Sequence, residues 1–246
     1  MTEPLRQTCR HPGGELSLYH QTLARLRELV RERTGSADLD DTVAAHAYLV
    51  SIKVLERGAE WEATVGEHAR RILQRADDEM EAQRRELDTL RRVLSGVRGR
   101  ILEVGAGWGR LASLYEELSL TAVYAEPSSL GTALLRQNGL RGGVRATGEA
   151  LPLQDRSFPT AIMGWVLHHY TSGLDADRLL GELARVLAPA GLLFSIEPLS
   201  GRFSETTWMR LLASARFQIR TVLTYMDMEA PDGSAEHHAI AVCVRR

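Results

Sequence analysis

Apolar residues recur along this chain with two different periods, and the change falls near residue 100. Before it the spacing is helical. Leu16, Leu18, Leu23, Leu26, Leu29 and Val30 line one face of a first helix, which ends near Gly35. Val43, Ala47, Val50, Val54 and Leu55 line a second, with Asp38 or Asp40 as its cap and Gly58 just past its end. Trp61, Val65, Ala69, Ile72, Leu73, Ala76, Met80, Leu87, Leu90 and Leu94 line a long third. The Arg/Glu-rich remainder of that stretch, where Glu79, Glu81, Glu86 and Asp88 interrupt the arginines, reads as a solvated face.

After Arg100 short apolar runs alternate with helical segments, the pattern of a parallel sheet with crossover helices. Strands are predicted at about 100–104, 121–125, 143–146, 160–163 and 192–196, with helices at 128–137, 174–187 and 205–215. Two final runs, 217–224 and 239–244, flank the turn signal Pro231-Asp232-Gly233-Ser234 and predict an antiparallel hairpin. The expected fold class is α/β: a Rossmann-like, doubly wound, mostly parallel seven-stranded sheet with an antiparallel last strand, preceded by an all-helical segment. The expected domains are 1–97 and 98–246. Residues 1–14 read as a loose tail.

Bulk properties narrow the function. The chain has 246 residues, 44% hydrophobic and 25% charged, which suits one large domain or a domain with a cap. A net charge of −2 gives no general attraction to nucleic acid or an anionic membrane. Cys9 and Cys243 lie near opposite ends, outside any metal-ligand spacing, so neither a metal nor a disulfide framework is expected. The first residues lack the apolar stretch of a signal peptide, and no apolar run approaches the length of a membrane span. A soluble cytoplasmic protein is the expectation.

The chemistry centres on Glu103-Val104-Gly105-Ala106-Gly107-Trp108-Gly109-Arg110. A strand ends in an acidic residue, alternate glycines follow, and a helical run begins at Leu111. Glycine tolerates positive φ and leaves no Cβ between backbone and ligand, and the helix start offers free N–H groups. This is a nucleotide-type cradle at the carboxyl end of a first strand. The third glycine comes one residue too early for the dinucleotide spacing. Glu126 closes the second strand 21 residues past Gly105, where a carboxylate can accept from both hydroxyls of a ribose. The fourth strand runs into Gly164-Trp165-Val166-Leu167-His168-His169. A histidine there reaches the ligand crevice and can take a proton near neutrality.

The pattern E-x-G-x-G-x-G resembles motif I of class I S-adenosylmethionine (SAM) dependent methyltransferases. Three further stretches match in order: Ala146 to Phe158 after strand three, Leu167-His168-His169 after strand four, and Glu182 to Gly191 before strand five. The resemblance covers about residues 100–246 and is to the small-molecule, natural-product and quinone-type branch. It implies SAM as cofactor and S-adenosylhomocysteine as product. Glu103, Gly105, Ala106 and Gly107 would hold the methionine part, Glu126 and Pro127 the ribose, and Thr147, Gly148 and Glu149 the adenine. Thr147 stands where the family usually has aspartate, and Pro159 replaces a second aspartate. Gly164 and Trp165 would complete the cofactor site. His168 or His169 would be the base, with no choice between them.

The expected reaction is methyl transfer to an oxygen or nitrogen of a small-molecule acceptor, in a bacterial natural-product setting. RNA or protein methylation, and a non-catalytic SAM-binding partner protein, are the alternatives. Nucleic acid and membrane are not expected partners, and the chain is expected to be a monomer or homodimer. The helical segment is expected to act as a lid, with Tyr19 and His20 nearest SAM. A dimer interface is the competing role.

Overall fold

The computed structural model describes residues 14–34, 40–170, 173–229 and 234–246. The expected tail, Cys9, the stop at Gly35, the cap at Asp38 and the turn at 231–233 lie outside them. The chain divides into two compact units, Met1–Glu81 and Ala82–Arg246.

The first unit holds helices α1 (Gly14–Thr34) and α2 (Asp40–Arg57) and most of α3 (Trp61–Leu94), which changes direction at Arg75. The apolar stripes predicted for them are buried: Leu18, Leu26, Val30, Val43, Ala47, Val50, Val65 and Ile72. A polar chain also crosses this unit. Lys53 Nζ lies 2.9 Å from His68 Nε2, the Nδ1 atoms of His68 and His46 are 2.9 Å apart, and His46 Nε2 is 2.8 Å from Glu79. An ammonium can only donate and a carboxylate only accept, so every proton in the chain runs from Lys53 toward Glu79.

The second unit contains a seven-stranded sheet, β1 (Arg100–Val104), β2 (Thr121–Glu126), β3 (Gly143–Arg145), β4 (Phe158–Gly164), β5 (Leu187–Leu199), β6 (Phe217–Glu229) and β7 (Ala235–Arg245). Their order is β3-β2-β1-β4-β5-β7-β6, and β7 runs antiparallel to both of its neighbours. Helices α4 (Ala112–Glu117), α5 (Ser129–Gln137), α6 (Gly173–Val186) and α7 (Glu205–Ser214) connect the strands. Ser128 and Ser204 cap α5 and α7 by accepting from Gly131 N and Thr207 N. Pro159 does not prevent β4 from starting at Phe158; the register against β5 shifts between Phe158 and Thr160 instead, as expected for a residue with no N–H to give the ladder.

Side chains alternate across the sheet. Leu102, Val104, Ala161, Met163 and Leu193 belong to one core, and Ile101, Ile162, Phe194, Ile196 and Ile240 to the other. The second core also takes in Leu90, Leu94 and Val97. The compact units divide after Glu81, whereas the change of period in the sequence falls near residue 97. The last turns of α3 belong to the sheet unit because their apolar stripe is part of its core, and the division falls inside the helix. A correction concerns the Arg/Glu face of α3: Glu86 is 1% exposed.

Candidate active site

Parallel strands deliver their last residues to one edge of the sheet, where loops build the site. β1 ends in Glu103 and Val104, and the chain then turns through Gly105, Gly107 and Gly109 at φ of +74°, +57° and +87°. The turn is closely packed. A β-carbon on Gly105 would lie 2.5 Å from a Val166 methyl, and one on Gly109 2.3 Å from Leu140. Ala106 is buried beside them.

Glu126 ends β2 and is buried. Its two oxygens accept from Gly107 N at 2.8 Å and Ser128 N at 2.9 Å. The carboxylate so joins the glycine turn to the cap of α5. Sequence reasoning missed Gly131, whose absent side chain makes room: a β-carbon there would sit 2.7 Å from Glu126 Cγ. The neighbouring Pro127 is exposed and accepts Arg145 Nε through its carbonyl.

Glu103 is buried, and burial pushes its carboxyl up to about 7 while Arg110 pulls it part of the way back. Its Oε2 makes no well-formed hydrogen bond among the described residues, and neither does the Tyr115 hydroxyl, which lies near enough to help lower the carboxyl. An unsatisfied buried acceptor of this kind is rare.

Beyond β3, Thr147 is exposed, Gly148 buried and Glu149 half-buried. Gly148 packs on α6, where a β-carbon would meet Leu179 at 2.2 Å. Glu149 hydrogen-bonds the Tyr170 phenol, whose pKa is raised, chiefly by burial. Arg185 on α6 fixes this segment from below by donating to the carbonyls of Leu151 and Leu153.

The end of β4 separates the two histidines. Residues Leu167–His169 form one 3-10 turn. Glu197, on β5 and 0% exposed, accepts from the backbone N–H groups of Val166, Leu167 and His168 at 3.2, 2.8 and 3.3 Å. Its Oε2 lies 2.8 Å from His168 Nδ1. Because a carboxylate only accepts, Nδ1 carries the hydrogen and Nε2 keeps its lone pair. His169 is exposed and lies against the His168 ring, centroids 3.8 Å apart. Sequence reasoning missed Glu197, although an acid directly after an apolar strand was the signal that found Glu126.

Gly164 ends β4 and Trp165 follows it. Trp165 has φ +61° and is 38% exposed. Its indole Nε1 donates to Glu86 at 3.2 Å, Tyr225 OH donates to the same oxygen at 3.1 Å, and Arg110 Nη2 donates to the other at 2.7 Å. Glu86 thereby ties together residues from the glycine turn, β4 and β6. Its signal was its place on the buried stripe of α3, four residues from Ala82 and four from Leu90. Tyr19 is a buried residue of α1 in the helical unit, and burial raises its pKa.

Residues 102–195 match the family model described as a methyltransferase domain. That segment is a methyltransferase domain. No curated protein matches the methyltransferase in sequence. Solved structures share its fold. A SAM-dependent methyltransferase from Methanosarcina mazei aligns at 17% identity and TM-score 0.52, covering 59% of this chain and 92% of its own. One from Leishmania major aligns at 14% identity and TM-score 0.56 over 93% of this chain and 84% of its own. The geranyl diphosphate C-methyltransferase of Streptomyces coelicolor, in complex with Mg2+, geranyl diphosphate and S-adenosyl-L-homocysteine, aligns at 14% identity and TM-score 0.51 over 76% and 85%. The glycine turn of the methyltransferase fits the cofactor on two structural grounds: the cradle has no room for side chains at Gly105 and Gly109, and the buried Glu103 Oε2 makes no well-formed hydrogen bond among the described residues. No helix among the described residues is long and apolar enough to cross a membrane.

Proposed function

We propose that the methyltransferase acts on a hydroxyl oxygen of a small-molecule acceptor, with His168 as general base. The observation that supports this reading is the pair His168 Nδ1–Glu197 Oε2 at 2.8 Å, with Glu197 fully buried. Glu197 is held by three backbone N–H groups, so it fixes both the ring and its tautomer. A nitrogen acceptor that already carries a free lone pair needs no such base, and this favours oxygen over nitrogen.

When bound, SAM supplies a methyl group on a sulfonium that departs as a neutral thioether. Glu103 Oε2 and the glycine turn would hold its methionine part, Arg110 its carboxylate and Glu126 its ribose hydroxyls. Gly148 and Glu149 would line the adenine, with Thr147 beside them. His168 Nε2 takes the acceptor's proton as the acceptor oxygen gains the methyl. Alignment of these groups, rather than activation of the donor, is the protein's main task.

The helical unit remains for enclosing the acceptor, since only residues 200–204 separate β5 from α7. Enclosure excludes water from the displacement. A homodimer built on these helices is the competing role. A cytoplasmic setting in natural-product tailoring completes the proposal.

The test is kinetic. His168→Gln should lower kcat by roughly 10²–10⁴-fold while SAM affinity stays within about twofold. His169→Gln should stay near the parental rate. Parental turnover by His168→Gln refutes the base.

A further inference from the structure

Trp165 is held in a conformation that a bulky side chain seldom adopts. Its φ of +61° places it in the left-handed region directly after β4. Glycine occupies that region freely, and a residue with a β-carbon persists there only when its surroundings hold it. Glu86 is the holding group. A carboxylate 1% exposed accepts the indole N–H, the Tyr225 hydroxyl and the Arg110 guanidinium. All three partners are donors, so only a residue with two acceptor oxygens satisfies them.

The polar edge of the indole is thus fixed, while the side chain stays 38% exposed. The rings around it stand edge-on: His238 at 5.1 Å and 89°, His168 at 6.5 Å and 80°. His238 is itself fixed by Glu236, 2.6 Å from its Nε2. An anchored, strained and partly bare aromatic surface therefore adjoins the histidine that carries the free Nε2.

We infer that Trp165 is a specificity-determining residue, a platform on which a planar, phenol-class acceptor stacks, and that Glu86 is its positioning residue. The inference rests on the reading of His168 as base. Flat aromatic surfaces favour offset contact with another ring. The acidity of the hydroxyl points the same way. A phenol releases its proton at about pH 10, whereas an aliphatic hydroxyl, like water, holds it far more tightly. A side-chain base therefore meets the proton of a phenol far more readily than that of an aliphatic alcohol.

The probes are 2-naphthol and its fully hydrogenated counterpart, decahydro-2-naphthol, with the full-length protein. Binding is read by calorimetry with S-adenosylhomocysteine present, and turnover by release of S-adenosylhomocysteine from SAM. The parental protein should bind and methylate 2-naphthol and leave the saturated alcohol unchanged. Trp165→Ala should raise the dissociation constant and KM for 2-naphthol at least about tenfold. Trp165→Phe keeps a ring but loses the N–H and should fall between. Glu86→Gln should raise KM in the parental background but have little further effect in Trp165→Phe, because the lost N–H is its route to the acceptor. A merely structural role would give equal effects in both backgrounds.

The assignment is overturned if the parental protein binds no 2-naphthol at millimolar concentration. It is overturned equally if the saturated alcohol is taken as well, or if Trp165→Ala binds 2-naphthol like the parent. His168→Gln separates the two readings. Unchanged naphthol turnover in that variant removes the base, while the binding measurements still decide the platform.

Discussion

Glu103 keeps its proton to about pH 7 because burial disfavours the charge, Glu126 and Glu86 add negative charge nearby, and Arg110 offsets only part of this. In the unfolded chain the same carboxyl titrates at its ordinary value of 4.5. Its contribution to stability is therefore complete below 4.5 and is lost as the pH rises through 7. A cationic ligand reverses the preference and favours the carboxylate. SAM binding is expected to release a proton between about pH 5 and 7 and to tighten with rising pH across that range. Calorimetry in two buffers of different ionisation enthalpy measures the release. Glu103→Gln should abolish it, and S-adenosylhomocysteine, which lacks the sulfonium charge, should show less of it. Unequal legibility in the sequence also begins at this scale. Glu103 and the glycines were readable because strand end and turn lie within a few residues of one another, and Glu126 because it directly closes the next apolar strand. The choice of His168 over His169 was not, since it depends on a carboxylate 29 residues away. Glu86 was hidden further still: its partner Tyr225 is 139 residues distant, and Arg84, Arg85 and Asp88 surround it in sequence.

Among the elements, α2 and the first part of α3 carry a titration of their own. His68 is buried, and that burial, together with His46, Lys53 and Arg71, lowers its pKa to about 3. Glu79 works in the opposite direction. A histidine depressed in the fold contributes stability in full above its ordinary 6.5, and the contribution disappears as the pH falls toward 3. Protonation at Nε2 would also set a donor against Lys53. Helicity should melt at steadily lower temperature as the pH is reduced below about 6.5. His68→Gln, which cannot titrate, should show a shallower slope in circular dichroism melts; an unchanged slope would mean that other groups govern the acid limit. The helices themselves were legible from apolar spacing, and the strands from their short runs. What periodicity could not show was the polar filling between α2 and α3, because a polar residue beside an apolar stripe gives no sign of its partner on another helix, and Glu79 read as part of a solvated face. Strand ends were also read short: β5 runs from Leu187 to Leu199 and β6 from Phe217 to Glu229, because pairing carries a strand past its apolar centre.

For the molecule as a whole, the division between units decides what can be cut. A fragment starting at residue 98, the boundary suggested by the change of period, lacks Glu86, Leu90 and Leu94. It would leave Arg110, Trp165 and Tyr225 without their shared acceptor and uncover one core of the sheet. A fragment starting at Ala82 keeps all of these. The longer fragment is expected to melt cooperatively and bind SAM. The shorter one should lose at least about 3 kcal/mol of stability from the exposed leucines and the unpaired donors. Thermal melts and SAM calorimetry on the two fragments check this, and equal behaviour would return the boundary to residue 98.

The position of β7 bears on how the chain is made. It follows β6 in sequence but lies between β5 and β6 in the sheet, paired on both sides. During synthesis β6 leaves the ribosome before the strand it will pair with exists. Until residues 235–245 emerge, β5 presents an open edge and β6 has no sheet to join. At about 5–20 residues per second this interval lasts seconds, long enough for an unpaired edge to meet another chain. His238, which stands against Trp165, arrives with that same late strand. The nascent chain therefore gains the shared partner of β5 and β6, and the ring that stands against Trp165, in a single closing event.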